Sequence, residues 1–170
     1  MRGLQTICLA GLALLFTSCA GYQLGPTNGY AARSHSLQIN PLVNKTLEPR
    51  IGDYFMTALR KDLQQDGTFR LNTKNDGDVI VNGEILNYKR LELTFVPGDV
   101  VSVLDYEIVA TAKITARDRF SGKLIVDKEV TGYTALRAGK DLSSAERQAM
   151  PLLAEDLARK ATALIVDGTW

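Results

Sequence analysis

Tyr106-Glu107-Ile108-Val109-Ala110-Thr111-Ala112-Lys113-Ile114-Thr115-Ala116-Arg117 puts apolar side chains at every even position and mostly polar or charged ones at the odd positions. A period of two over this length reads as a β-strand with one buried face and one wet face, the pattern of an antiparallel sheet covered on one side only. The strand is expected over 101–120. Upstream, Val79, Val81, Gly83 and Ile85 alternate in the same way, which predicts a second long strand over 79–96. Pro97-Gly98-Asp99 lies between the two and closes them into a hairpin. Downstream, Ser121-Gly122 turns the chain into a last strand, expected over 123–134.

Helical spacing flanks this meander on both sides. Ile51, Phe55, Ala58-Leu59 and Leu63 recur on one face, with Glu48 and Asp53 early and Arg60 and Lys61 late, as the helix dipole prefers. The spacing predicts a helix over 47–65, with Thr46 as N-cap, Pro49 in the first turn and Asp66-Gly67 as the stop. A strand over 36–43 precedes it, ending or lying on an edge at Pro41. A short strand over 68–73 follows, then the turn Asn75-Asp76-Gly77-Asp78. After the meander, Ser143 and Glu146 form a capping box ahead of the stripe Leu153, Leu157, Ala161 and Leu164-Ile165. Pro151 is expected to kink this helix or split off a short first segment. The order strand, helix, then strands, then helix predicts an α+β two-layer sandwich. Its two helices are expected on one face of a four- to five-stranded mixed sheet.

The first residues set the compartment. Arg2 is followed by a mostly apolar run from Leu4 to Phe16, then Thr17-Ser18-Cys19. A charge, a short apolar core and small residues before a cleavage point make a secretory signal, and the run is shorter than the ~20 residues a membrane-spanning helix needs. Small residues immediately before a Cys further specify a bacterial lipoprotein. The expected organisation is a signal peptide over 1–18, a lipidated Cys19 with a Gly-, Ser- and Ala-rich tether over 19–36, and one periplasmic domain over 37–170. An ordinary signal peptide with an incidental Cys is the alternative. The chain has two Cys, and loss of Cys8 with the signal leaves Cys19 alone, so the domain stands on its hydrophobic core without a disulfide. Of 20 Lys+Arg and 19 Asp+Glu, removal of Arg2 leaves 19 of each, and no basic field points to nucleic acid.

Nothing in the pattern carries catalysis. The lone His35 falls in the tether, Asp76 and Asp78 are turn residues, and Ser143 and Ser144 have no neighbouring base and serve a helix cap. No metal cluster, phosphate loop or cofactor motif is present, and an enzyme is not expected. Binding surfaces remain. Strand alternation places the 97–100 turn and the 135–142 loop at one pole, where Arg137 and Lys140 supply positive charge. Arg117, Arg119 and Lys123 mark the opposite pole, partly offset by Asp118.

Cys19-Ala20-Gly21-Tyr22-Gln23-Leu24 resembles the lipidated Cys-Gly-Tyr-x-Leu opening of the LPS-assembly lipoprotein family LptE, with Ala20 as an extra residue. Ile39-Asn40-Pro41-Leu42-Val43-Asn44-Lys45-Thr46-Leu47-Glu48-Pro49 resembles that family's first strand and the Asn-x-Thr-x-Glu-Pro stretch leading into its first helix. The resemblance implies a lipoprotein of the cell outer membrane, lipid-anchored on the periplasmic side. Its implied partner is the β-barrel LptD, whose assembly it assists, and its implied ligand is lipopolysaccharide on the way to the cell surface. It implies LPS contact at the pole of the hairpin turn and the loop before the last helix, where Lys140 corresponds to a basic family residue and Arg137 lies beside it. The hairpin turn carries Pro97 and Asp99 rather than a basic residue. The Asn-x-Thr stretch also occurs in periplasm-facing lipoproteins that regulate cell-wall synthases or form secretion assemblies, which is the alternative function.

Overall fold

A computed structural model describes residues 35–138 and 141–168, with Val100 described by its backbone alone. The elements are β1 (Ser36–Ile39), β2 (Val43–Asn44), α1 (Ile51–Asp66), β3 (Arg70–Asn72), β4 (Val79–Val96), β5 (Asp99–Asp118), β6 (Leu124–Arg137) and α2 (Leu142–Val166). They form one sheet in the order β3-β1-β4-β5-β6, with β2 paired to β4 beyond the end of β1. β1 is parallel to both β3 and β4, whereas β4, β5 and β6 form an antiparallel meander, so the sheet is mixed as expected.

The alternation quoted above sets the layers. Ile108, Ala110, Ala112, Ile114 and Ala116 of β5 are fully buried, and Val79, Val81 and Ile85 join them from β4. Against this face lie Ile51, Phe55, Leu59 and Leu63 of α1 and Leu153, Leu157, Ala161 and Ile165 of α2, all in one core. Small β5 residues let the helices approach closely. Gly132 on β6 permits the tightest of these approaches to α2, for a Cβ there would lie 2.9 Å from the Cβ and the backbone nitrogen of Leu157. At Gly83 the side chain of Leu42 occupies the space a Cβ would need, at 2.4 Å. Among the described residues the opposite sheet face carries no helix. It is crossed by a Thr111–Thr131 hydroxyl pair at 3.1 Å, a Lys113–Asp127 ion pair at 2.9 Å and a Lys45–Glu84 ion pair at 2.6 Å.

Several local expectations change. Pro41 divides the first strand into β1 and β2 rather than ending it. α1 begins at Ile51, not 47. Its N-cap position is Arg50 with no side-chain cap. Thr46 instead closes a turn in which its N–H and hydroxyl both donate to Asn44 Oδ1 at 2.9 and 2.8 Å. A short polar side chain two residues back satisfied the backbone before the helix began. At α2 the N-cap is Asp141, whose carboxylate accepts the Ser144 N–H, so Ser143 does not cap and the capping box does not form. Glu146 is drawn to the sheet instead, by partners described below. α2 runs unbroken through Pro151, because one missing N–H is outweighed by the buried stripe that continues on both sides of it.

β6 is an exposed edge, and α2 covers part of it. Asp156 accepts the outward Tyr133 N–H at 3.1 Å, and Lys160 donates to the Thr131 carbonyl at 2.7 Å while its ammonium sits 4.3 Å from the Tyr133 ring centre. These side chains occupy backbone groups that would otherwise invite another strand.

Candidate interaction surface: the projecting hairpin and its pole

The three meander strands differ in length, and that difference builds the site. β6 ends at Arg137, opposite Asp105 of β5, and α2 starts a few residues later. β4 and β5 continue as a two-stranded ribbon from Asp105 to a turn at Pro97-Gly98, closed by the pair Val96 and Asp99. At ~3.4 Å per residue the six β5 residues beyond Asp105 carry the tip ~20 Å past Arg137. Pro97 followed by Gly98 at φ 83° fits a type II turn. The Asp99 carboxylate accepts the Val101 and Ser102 amides at 2.9 and 3.2 Å, and a Ser102 hydroxyl bond, then these amides, hold it below the usual carboxylate range. The Pro97 and Asp99 noted in the sequence therefore shape the turn. The ladder behind it carries register irregularities at Glu92/Thr94, Thr94/Phe95 and Phe95/Val96. Such bulges twist a ribbon and re-aim its side chains.

Among the described residues no helix covers this ribbon. On it Phe95 and Val96 are each more than a third exposed and Val101 is 83% exposed, and at its base Leu91 and Leu93 are also more than a third exposed. A cluster of large apolar side chains on a projecting element marks an interaction surface rather than a scatter of surface residues.

The base of the ribbon is fixed by polar groups. The Tyr88 hydroxyl donates to one Glu146 carboxylate oxygen, and Arg90 donates to the other at 3.1 Å while lying 5.6 Å from the Tyr106 ring centre. Burial, and then the bond to Glu146, push the Tyr88 phenol well above its ordinary value, so it stays a donor at any physiological pH. On β5, Asp105 accepts the Thr94 hydroxyl at 2.6 Å and Arg137 Nε at 3.1 Å. The Thr94 bond, followed by the Arg137 bond, holds the Asp105 carboxyl below its ordinary range. Ala138 N–H donates to the Leu104 carbonyl at 2.8 Å and extends the β5–β6 contact by one bond.

Of the two basic candidates, Arg137 stands at the ribbon's base with its side chain 74% exposed, engaged by Asp105 on one side only. Lys140 lies outside the described residues, as do Cys19 and the whole signal peptide and tether up to residue 34. Arg137 and the 97–100 turn share one end of the sheet, but the turn stands six residues of strand beyond it. The expected side-by-side placement becomes a base-and-tip arrangement. Leu91, Leu93, Phe95 and the Tyr88–Arg90–Glu146 cluster were not singled out from the sequence. Among the described residues no group of three or more His, Cys, Asp or Glu could hold a metal, and no helix is long and apolar enough to cross a membrane.

The geometry defines the class as a two-layer α+β domain with a projecting, partly apolar hairpin. The model of the LptE lipopolysaccharide-assembly family matches residues 34–165, and the chain belongs to that family. Comparison with curated proteins gives no match. Among solved structures, a hypothetical protein of Chlamydia trachomatis is similar, with a TM-score of 0.59 at 13% identity, covering 79% of this chain and 97% of its own. A protein from Xanthomonas campestris also gives 0.59, at 8% identity, covering 85% and 91%. A minor lipoprotein from Acinetobacter baumannii gives 0.51, at 18% identity, covering 78% and 91%. At these identities the likeness is one of fold.

Proposed function

We propose that this chain is an outer-membrane lipoprotein, anchored through Cys19 on the periplasmic side. On this reading it partners an LptD-type β-barrel through the β4–β5 ribbon and assists delivery of lipopolysaccharide to the cell surface. The observation that carries the reading is the ribbon: exposed Phe95, Val96 and Val101 on a projecting element of a family member, with exposed Leu91 and Leu93 at its base. Apolar side chains on an element that its own domain leaves uncovered are supplied with a partner by a barrel interior. Arg137, with Lys140 three residues on, provides cations for the phosphates of lipopolysaccharide at the ribbon's base. Exposed charge contacts contribute only ~0–1 kcal/mol each, so LPS contact there is weak, additive and salt-sensitive.

The decisive experiment is co-purification. The wild-type lipoprotein is expected to bring down an outer-membrane barrel, and Leu91→Asp with Phe95→Asp is expected to lose it while keeping its unfolding midpoint. Recovery of a cell-wall synthase or secretion component in place of a barrel would refute the reading. For the ligand, Arg137→Glu with Lys140→Glu is expected to weaken LPS binding more than Arg119→Glu with Lys123→Glu at the opposite pole. The reverse order would place LPS at the wrong end. Replacing Cys19 by Ala is expected to release the folded domain from membranes of cells lacking the barrel.

A further inference from the structure

The end of the domain opposite the ribbon carries a surface of a different kind. The β5–β6 turn, residues 119–123, presents Phe120 at 83% exposure, with Leu124 also exposed beside it. Arg117, Arg119 and Lys123 flank Phe120 in sequence, and among the described residues none of the three forms an ion pair with a carboxylate. Arg119 donates instead to the Asn75 carbonyl at 2.9 Å, and Arg117 to the Gly122 carbonyl at 3.3 Å. These bonds position the guanidinium groups without an ion pair, so that Asp118 offsets the three cations only in part. The acidic neighbour Asp118 is turned inward: its carboxylate accepts the Phe120 and Ser121 amides and the Ser121 hydroxyl, which fixes the turn. The turn is therefore held in a shape that pushes one aromatic ring outward among three cations.

This is also the end at which the described chain begins. Ser36 donates its N–H and its hydroxyl to the Asp78 carboxylate, each at 2.8 Å, and the Asp78 carbonyl accepts Arg119 N–H at 2.8 Å. The start of β1 and the 119–123 turn are thus joined through one residue. Residues 20–35 link this point to Cys19 and span ~55 Å at most when extended. An anchor within that reach keeps the domain near the membrane and joins it at this pole rather than at the ribbon. An aromatic ring flanked by Arg and Lys is the composition that settles at a headgroup boundary, the ring in the acyl margin and the cations at the phosphates.

We propose that the Arg119–Phe120–Lys123 turn is a second membrane contact, which seats the anchored domain on anionic phospholipid and directs the ribbon away from that leaflet before a partner is engaged. The proposal rests on the Cys19 anchor of the preceding section. Each basic side chain near an anionic surface strengthens association about five-fold, and the effect falls off within a Debye length.

The test uses the mature lipoprotein purified from membranes and reconstituted in phosphatidylcholine vesicles with or without phosphatidylglycerol. Trp170, the chain's one tryptophan, is changed to Phe. A reporter is then introduced as Phe120→Trp or, separately, Leu91→Trp, and quenching by brominated acyl chains is read. The reporter at position 120 is expected to be quenched in the anionic vesicles. The quenching should fall toward the phosphatidylcholine level in high salt and with Arg119→Glu and Lys123→Glu, while the reporter at 91 stays unquenched throughout. Quenching at 91 but not at 120, or quenching at 120 indifferent to both salt and charge reversal, overturns the proposal. Mass analysis of the N-terminal peptide scores the anchor separately. If Cys19 carries no acyl group the anchor reading fails, and salt-sensitive quenching at 120 on anionic vesicles still decides the turn.

Discussion

Gly132→Ala tests the close approach of α2 to β6. An added Cβ at this β6 position would meet Leu157 Cβ and N at 2.9 Å and its Cα at 3.0 Å, where ordinary contact begins near 3.4 Å. About half an ångström must therefore be found, and the atoms in the way belong to the helix backbone rather than to a side-chain tip. α2 must shift as a body, and the same stripe holds Leu153, Leu157 and Ala161 in the core. Overpacking of this kind costs ~1–3 kcal/mol. Against it stands the gain from a less flexible unfolded chain, ~0.4–1 kcal/mol, since Gly132 is not among the positive-φ glycines. The steric cost is the larger, and a net loss of about 1–2 kcal/mol is expected, read as a lower urea midpoint at unchanged slope. A second variant sharpens the point. Leu157→Ala keeps Cβ, N and Cα, so combining it with Gly132→Ala should give no rescue. A midpoint at or above wild type for Gly132→Ala, or a double variant more stable than Leu157→Ala alone, would show that the helix does not rest on this strand as described.

Leu157→Ala alone removes a fully buried side chain and should cost ~2–5 kcal/mol in equilibrium unfolding. Tyr88→Phe removes the phenol's bond to Glu146 and should cost about 1–2 kcal/mol, below the upper range for bonds to charged groups because the site is only half-buried. Burial raises the Asp156 carboxyl, but bonds from Lys160, Arg159 and the Tyr133 amide outweigh it and leave the group below its ordinary value. A lowered folded value means that this stability is present above the unfolded pKa and is lost as pH falls through the folded one. The urea midpoint should therefore drop below about pH 4, and Asp156→Asn should show a shallower drop. Asp156→Ala also bares the Tyr133 N–H on the β6 edge, and light scattering at raised protein concentration should show more self-association than wild type.

The sequence announced its periodic elements and concealed those fixed by long-range pairing. The stripes Ile51–Phe55–Leu59–Leu63 and Leu153–Leu157–Ala161, and the even positions of β5, are buried as their spacing requires, because burial itself imposes the period. Helix starts were less legible. Thr46 and Ser143 both have the composition of a cap, yet Thr46 serves a turn and Asp141 caps α2 in place of Ser143. Glu146 reads as a capping partner three residues after Ser143, but Tyr88 and Arg90, more than fifty positions away, claim it. No local pattern contains that information. The ribbon was half visible: both long strands were read, and Leu91-Glu92-Leu93-Thr94-Phe95 alternates plainly. Recognising it as uncovered needed the register that ends β6 at Asp105, a tertiary fact.

That register also explains why the ribbon is the part of the molecule awaiting a partner. An isolated two-stranded hairpin is marginal in water, and stability comes from a third strand or a packed helix. β4 and β5 have both supports as far as Asp105, where β6 lies alongside and Glu146 of α2 reaches Tyr88 and Arg90. Beyond that point, among the described residues, they have only their own ladder, which the register irregularities interrupt. Phe95, Val96 and Val101 carry exposed apolar side chains there, with exposed Leu91 and Leu93 just inside the boundary, and none of the described residues buries them. The Asp105–Arg137–Thr94 cluster marks the boundary between the two regimes, with a carboxylate held charged by its neighbours. On one side of it the chain supplies its own packing. On the other, a surface that covers the ribbon would gain apolar burial and order the ladder in the same step, which is the physical content of assigning this element to partner recognition.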